Sequence, residues 1–347
     1  MLADQLDYVI GVDPHRDTHA IAVVEVRTGG VVYEAAVAAS TSGYRRTLRL
    51  AEEHAPGRRA FAVEGSGSFG AGLTRFLSRQ GETVFEVGRL RRERRSGGKT
   101  DALDAIRAAR VVLSQEQPAQ PRAGAQREAL RALMAAREGA VNARRAGLCQ
   151  LRDLIITAPE PLRSELRPLT RGRLLKRLAA VRPARHTDVE LRGTLHALRS
   201  LAHRIERLTA EERDLESEIA ALTRELAPQL LEQPGIGPLA AAQLLLSWSH
   251  PGRVRSEAAF ARLAGCAPIP ASSGQTIRYR LDRSGDRQLN RALYMILINR
   301  RRWHQPTIDY IARRREDGKT PREANRCLKR YLARNLYRLL EHPPLST

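Results

Sequence analysis

The chain has 347 residues, enough for two or three domains, and carries 59 lysines and arginines against 38 acids, for a net charge of +21 and a pI near 11.1. Such an excess opposes compaction unless a polyanion neutralises it, and nucleic acid is the commonest such partner. All but four of the basic residues are arginines, the exceptions being Lys99, Lys176, Lys319 and Lys329. Arginine grips phosphate through a two-pronged donor fork, although a GC-rich genome accounts for the arginine bias equally well.

The first elements alternate as strands: YVIGVD, AIAVVEV and VVYEAAV between residues 7 and 37, with the turn Thr28–Gly30 joining the last two as a hairpin. A helix is expected at about residues 42–53, then strand AFAVE, a helix over 71–79, strand TVFEV and a helix over 100–113. The order β-β-β-α-β-α-β-α is that of an RNase H-like (RuvC-like) domain, mixed α/β because its hairpin is antiparallel and its later strands have helical crossovers. We place this domain at residues 1–118.

Four acids in this domain stand where chemistry is expected. Asp13 ends the first strand, Glu64 ends AFAVE, and Asp101 and Asp104 lie three residues apart on one face of the helix that follows. Converging carboxylates repel one another unless a hard cation neutralises them, so the four predict a site for Mg²⁺ or Mn²⁺, which pairs naturally with phosphate chemistry. Individually, Asp13 can cap the loop DPHRDTH, His15 and Asp17 can face solvent, and Asp101 with Asp104 can simply favour a helix N-terminus. A competing motif adjoins Glu64: GSGSFG, Gly65–Gly70, satisfies G-x-G-x-x-G between a strand and a helix, with Glu86 about twenty residues on, as in a dinucleotide-binding fold. That fingerprint normally follows the first strand of its domain, whereas here a hairpin precedes it.

Residues 119–228 read as a helical coiled-coil region. Apolar positions recur at Leu130, Met134, Val141, Leu148, Leu151 and Ile155, interrupted by Arg137 and Arg144, and again through Leu198, Leu201, Ile205, Leu208, Leu215, Ile219, Leu222 and Leu226, with Glu212 out of place. The two helices, separated by the proline-containing stretch 159–183, can pair with each other or with another subunit. The section 229–347 is mainly helical. It opens with LLEQPGIGPLAAAQLLL, a helix-hairpin-helix pattern in which Gly235 and Gly237 allow backbone amides to approach a phosphate. Cys149, Cys266 and Cys327 are odd in number and in no metal-binding spacing, which predicts a reducing compartment and small buried apolar roles. No basic segment leads into an apolar one at the N-terminus and no apolar run reaches membrane length, so a cytoplasmic protein without membrane contact is expected.

With the segment AGCAPIPASSGQTIRYRLDRSGDRQLNRALYMILINR in view, the chain resembles the IS one-ten insertion-sequence transposases, also called DEDD transposases and bridge-RNA-guided recombinases. The resemblance spans nearly the whole chain: the acidic tetrad, a helical middle, Pro268, Ser273-Gly274, the turn Arg283–Asp286 and the helix Leu289–Arg300 follow in the family's order. It implies a DNA recombinase with catalytic Asp13, Glu64, Asp101 and Asp104 and a serine nucleophile, Ser273, that becomes covalently linked to a cleaved strand. It further implies a homo-oligomer, dimer or tetramer, bringing donor and target DNA together under a guide RNA, in the nucleoid-associated cytoplasm of a bacterium. Cys266 and Asp286 stand where the family leads to Leu and Asn, and Ser272 adjoins the expected nucleophile.

The chemistry is consistent with that reading on its own terms. A serine hydroxyl needs a base or a metal for activation, metals held by carboxylates can serve an in-line phosphoryl displacement, and Arg278, Arg280 and Arg283 stand ready for phosphate oxygens. No Walker motif is present, so ATP is not implied. Two other classes remain open at this point: a junction-resolving endonuclease using water as nucleophile, and a nucleic-acid binder without catalysis.

Overall fold

The computed structural model describes residues 2–88, 101–185, 187–271, 279–280, 282 and 285–343, in two compact units. The first comprises Met1–Gly124 with Ser249–Arg255. Its strands β1 (Tyr8–Pro14), β2 (Thr18–Glu25) and β3 (Val31–Ala38) form an antiparallel meander, followed by α1 (Thr41–His54), β4 (Arg59–Glu64), α2 (Ala71–Arg79), β5 (Val84–Val87) and α3 (Asp101–Leu113). The five-stranded sheet runs β3-β2-β1-β4-β5, with β1, β4 and β5 mutually parallel.

Both faces of this sheet are covered, which is why its central strands read as nearly unbroken apolar runs. Ile10, Val12, Ile21, Val23, Phe61 and Val63 pack with Leu73 and Leu77 of α2 and Ala51 of α1. Val9, Val24, Ala62 and Val87 point the other way, against Ala108, Ala109 and Val112 of α3. The period-two alternation of each strand thus decides which side chains meet α3. Ser40 starts α1 as its N-cap, accepting the Gly43 N–H at 3.3 Å.

The second unit comprises Ala125–Trp248 with Ser256–Thr347. Its elements are α4 (Ala125–Ile156), α5 (Glu160–Leu166), α6 (Arg171–Ala179), α7 (Val189–Leu226), α8 (Pro228–Leu231), α9 (Pro238–Trp248), α10 (Glu257–Leu263), the pair β6 (Ile269–Pro270) and β7 (Tyr279–Arg280), α11 (Arg287–Arg300), α12 (Gln305–Glu316) and α13 (Pro321–Glu341). The stretch read as a proline-containing separator holds α5 and α6. Pro159 and Pro161 stand at the start of α5, where a missing N–H loses nothing, and Leu162, Leu166 and Leu178 close a core with Leu151, Leu195, Leu198 and Ile205.

The long helices α4 and α7 pair antiparallel within the chain: Gln126 donates to Glu225 at 2.6 Å, and Gly147 lets Ile205 approach so closely that a Cβ there would lie 3.2 Å from it. The charged interruptions of the two apolar stripes meet each other. Arg137 reaches Glu212 at 3.2 Å and Glu216 at 2.7 Å, and Arg144 reaches Glu212 at 2.8 Å. Each residue out of place on one helix is matched by its opposite on the other.

Toward the C-terminal end, Trp248 donates its indole N–H to Glu341 at 2.7 Å, and Glu257 binds both Arg334 and Arg338 of α13, whose hydrogen bonds hold its carboxyl below the ordinary glutamate range. Asp286 caps α11, accepting the N–H groups of Gln288 and Leu289 and the hydroxyl of Ser247. An asparagine can make the same cap, so this departure from the resembled pattern leaves the helix start intact. Cys266 and Cys327 are half-buried, but Cys149 is exposed, against expectation, because α4 turns Leu148 and Leu151 inward and leaves Cys149 on its outer face. Among the described residues, no helix is long and apolar enough to cross a membrane.

Replacing Glu212 by Ala takes the acid from half-buried Arg144 and leaves Arg137 with Glu216 alone, and should destabilise the chain by about 1–3 kcal/mol. Replacing Arg137, Arg144 and Glu212 together by Leu restores an apolar seam and should lose less, or gain, in the same urea titration.

Candidate metal centre

Val12 and Val63 are register partners on parallel strands, so Asp13 and Glu64 follow them on adjacent strand ends. Both acids share the face of Val9 and Ala62, the face that α3 covers. What brings α3 there is Gly11. A Cβ at that position would lie 1.8 Å from the carbonyl oxygen of Ala105 and 3.0 Å from the Ala109 nitrogen, so helix and strand touch backbone to backbone. This contact sets the first turn of α3, with Asp101 and Asp104, beside the end of β1.

The structure brings Asp13 and Asp101 together around a residue to which sequence reasoning gave no role, His15. Its Nδ1 lies 3.8 Å from Asp13 Oδ2 and its Nε2 3.7 Å from Asp101 Oδ1. One donor atom from each of the three residues lies within 4.8 Å of the other two; among the described residues, Glu64 and Asp104 stand outside that group. Asp104 is instead held by Arg107 at 2.9 Å. Two carboxylates and an imidazole gathered this closely suit a divalent cation once the side chains draw in by a few tenths of an ångström, because two donors on one ion can be separated by up to twice a bond length, about 4.4 Å.

His15 is firmly placed. Pro14 precedes it, its own N–H donates to the Thr18 carbonyl at 2.8 Å, and the Ala39 N–H fastens the turn through the Asp17 carbonyl at 2.9 Å. The Asp17 carboxylate is turned to Arg16 at 2.8 Å. The signal was available in the sequence: Asp13-x-His15 at a strand end sets both side chains on one face. A shallow groove of about 290 Å³, lined by Thr18, Ala20, Glu34, Asp101 and Ala102 among others, opens beside the cluster.

On the opposite face of β2, His19 is fully buried, stacked on Tyr44 at 5.8 Å, with Nδ1 facing the Thr18 carbonyl at 3.0 Å. Burial holds its pKa below the ordinary histidine value. The glycine-rich competitor resolves into a turn. Gly65 adopts φ of +60°, the Ser68 hydroxyl donates to its carbonyl, and Gly70 abuts Val63 and Pro14 where a Cβ would come within 2.9 Å. Glu86, the acid that a dinucleotide fold would turn to a ribose, binds Arg253 at 3.3 Å.

In the second unit, Gly235 has φ of +72° and packs on α11, a Cβ there falling 3.0 Å from Arg300, whereas Gly237 has open space around it. Arg300 spans this turn by donating to the Pro234 carbonyl at 2.6 Å. Arg280 is exposed on β7. Ser273, Arg278 and Arg283 lie outside the described residues.

Residues 10–158 match the DEDD transposase profile of the IS110 (IS one-ten) family, and residues 227–312 match the profile described as Transposase IS116/IS110/IS902 family. The chain belongs to the IS110 family of transposases. A stretch of 136 residues is 34% identical to a protein of Streptomyces coelicolor described as the insertion element IS110 uncharacterized 43.6 kDa protein, covering 38% of this chain and only 34% of that relative's length. In this IS110-family chain the first profile contains all four tetrad acids, and the second contains Gly235, Gly237, Ser273, Arg278, Arg280 and Arg283.

Gly11→Ala forces α3 off the sheet. It should lower stability by about 1–3 kcal/mol in a urea titration and weaken Mn²⁺ binding, since Asp101 moves with the helix. Separately, the depressed His19 pKa means that the unfolded chain binds a proton which the folded chain refuses. Stability should therefore fall as pH drops below about 6.5 toward the folded-state pKa, and His19→Phe should flatten that slope in thermal melts across this range.

Proposed function

We propose that the chain cuts and rejoins DNA strands as a divalent-metal-dependent transposase, with Ser273 as the nucleophile. The observation that carries this reading is the meeting of Asp13 and Asp101 around His15 in the segment that matches the DEDD profile. The strand order β3-β2-β1-β4-β5 and the placing of acids at the ends of β1 and β4 support an RNase H-like reading of that unit. Both matched profiles describe transposases, which disfavours the junction-resolving alternative and a purely binding role.

In this reading Asp13, Asp101 and, at the flanks, Glu64 and Asp104 hold Mg²⁺ or Mn²⁺. The bound ion supplies charge neutralisation at the phosphate and acidifies a nearby hydroxyl. The Ser273 oxygen forms a bond to phosphorus while the bond to the departing nucleotide oxygen breaks, and that oxygen takes up a proton. Attack by a DNA hydroxyl on the phosphoserine reverses the exchange and frees the serine, so the phosphodiester is rebuilt without an external nucleotide. Arg278, Arg280 and Arg283 hold phosphate oxygens, and the open Gly237 turn offers backbone amides to the duplex. Residues 119–228 serve assembly and residues 229–347 serve DNA. The +21 charge matches a complex of donor DNA, target DNA and a guide RNA on a homo-oligomer, dimer or tetramer, in the cytoplasm.

The test uses DNA from the flanks of the element that encodes the chain, with a nick that traps covalent adducts, and RNA transcribed from the adjoining noncoding segment. Adduct formation should need Mg²⁺ or Mn²⁺. Ser273→Ala should abolish the adduct and leave DNA retention in a gel shift. Asp101→Asn should slow cleavage by about a hundredfold or more, the scale of losing one preorganised electrostatic partner. An adduct that persists in Ser273→Ala, or cleavage undiminished in EDTA, overturns the mechanism; recombination independent of the RNA overturns the guidance.

A further inference from the structure

We propose that His15 supplies one imidazole nitrogen to the divalent ion held by Asp13 and Asp101, making the site discriminate for Mn²⁺ over Mg²⁺. This rests on the metal-dependent reading above and adds a residue to it.

Nδ1 of His15 lies 3.8 Å from Asp13 and Nε2 3.7 Å from Asp101, too far for hydrogen bonds, and one ring nitrogen with one oxygen of each acid lies within 4.8 Å of one another, close enough for small side-chain shifts to gather them on one ion. The position is built rather than incidental. His15 directly follows β1, two residues past Asp13, the tight turn to β2 is pinned by the His15 N–H to the Thr18 carbonyl, and that carbonyl also faces the buried ring of His19. The ring is 43% exposed, so it is open to an ion from solvent without being left to wander.

The chemical consequence follows from donor type. Mg²⁺ is a hard ion that prefers carboxylate, phosphate and water oxygens and gives up its water reluctantly. An imidazole nitrogen is a softer donor that suits transition ions. A site of carboxylates alone treats Mg²⁺ and Mn²⁺ as near equivalents, whereas one with His15 in it shifts toward Mn²⁺. Asp17 and Arg16, the other charged residues of the turn, pair with each other and leave the ring free for this role.

The experiment titrates the full chain with MnCl₂, reads free and bound Mn²⁺ by electron paramagnetic resonance, and looks for directly bound nitrogen through ¹⁴N hyperfine coupling in the pulsed spectrum. MgCl₂ serves as competitor. The parent chain should show ligand-strength ¹⁴N coupling. His15→Ala should lose the coupling and at least about tenfold in Mn²⁺ affinity, the lower end of what supporting residues contribute to a metal site, with Mg²⁺ affinity nearly unmoved. His15→Gln, which restores length without the nitrogen donor, should behave like His15→Ala. Mn²⁺ that binds in an Asp101-dependent way with no ¹⁴N coupling, or with coupling that survives His15→Ala, overturns the role of His15 and leaves the metal reading standing. No bound Mn²⁺ in the parent chain overturns both.

Discussion

The site hangs on a backbone-to-backbone contact. Gly11 sits in the middle of β1, where glycine weakens a strand and offers no side chain to the core. Its value lies in what its hydrogen permits: Ala105 of α3 rests directly on the strand, and small residues at Ala105, Ala108 and Ala109 continue that close seat along the helix. Had α3 been lifted by one side-chain layer, Asp101 would stand several ångströms from Asp13 and the imidazole between them would have one partner instead of two. The sheet's cover and the chemistry at its edge are therefore the same packing decision.

Charge is handled differently in the two units. In the first, acids that could compete for arginines are paired early: Asp7 with Arg58, Glu82 with Arg59, Glu86 with Arg253. Asp13 and Asp101 instead face a histidine. In the second, Glu212, Glu216 and Glu257 each bind arginines of a neighbouring helix and fix how those helices abut. Partly exposed pairs of this kind contribute little individually to stability, but an unmatched arginine in a helix seam would be costly, so they specify register more than strength.

Much of the first unit was legible in the sequence. Its strands are short apolar runs between turn residues, and the order of helices and strands left few ways to build a sheet. Asp13 and Asp101 were readable as neighbours, and Glu64 and Asp104 were expected beside them, because strand ends and helix periodicity fix where such residues point. The exclusion of Glu64 and Asp104 from the tightest cluster was not readable, since it depends on ångström-scale placement and on the pull of Arg107. His15 and Gly11 were passed over for opposite reasons. A histidine in a polar turn looks like surface, and a glycine in a strand looks like weakness, until the helix lying against it is seen. In the helical unit, Arg137, Arg144 and Glu212 looked like faults in two separate stripes because their partners lie far away in the chain, on the other long helix.

The hydrogen bond from Trp248 to Glu341 has an optical consequence. The chain has two tryptophans, and both belong to the helical unit: Trp248, almost fully buried, and Trp303, more than half exposed. The sheet unit has none and is marked only by tyrosines such as Tyr8, Tyr33 and Tyr44. Intrinsic fluorescence excited at the red edge thus reports the helical unit selectively, with a blue-shifted component from Trp248 that fades when α13 lets go of α9 and a red-shifted one from Trp303 at the surface. Melting of the sheet unit stays dark in the same trace, so the helical unit can be followed by itself without any dye.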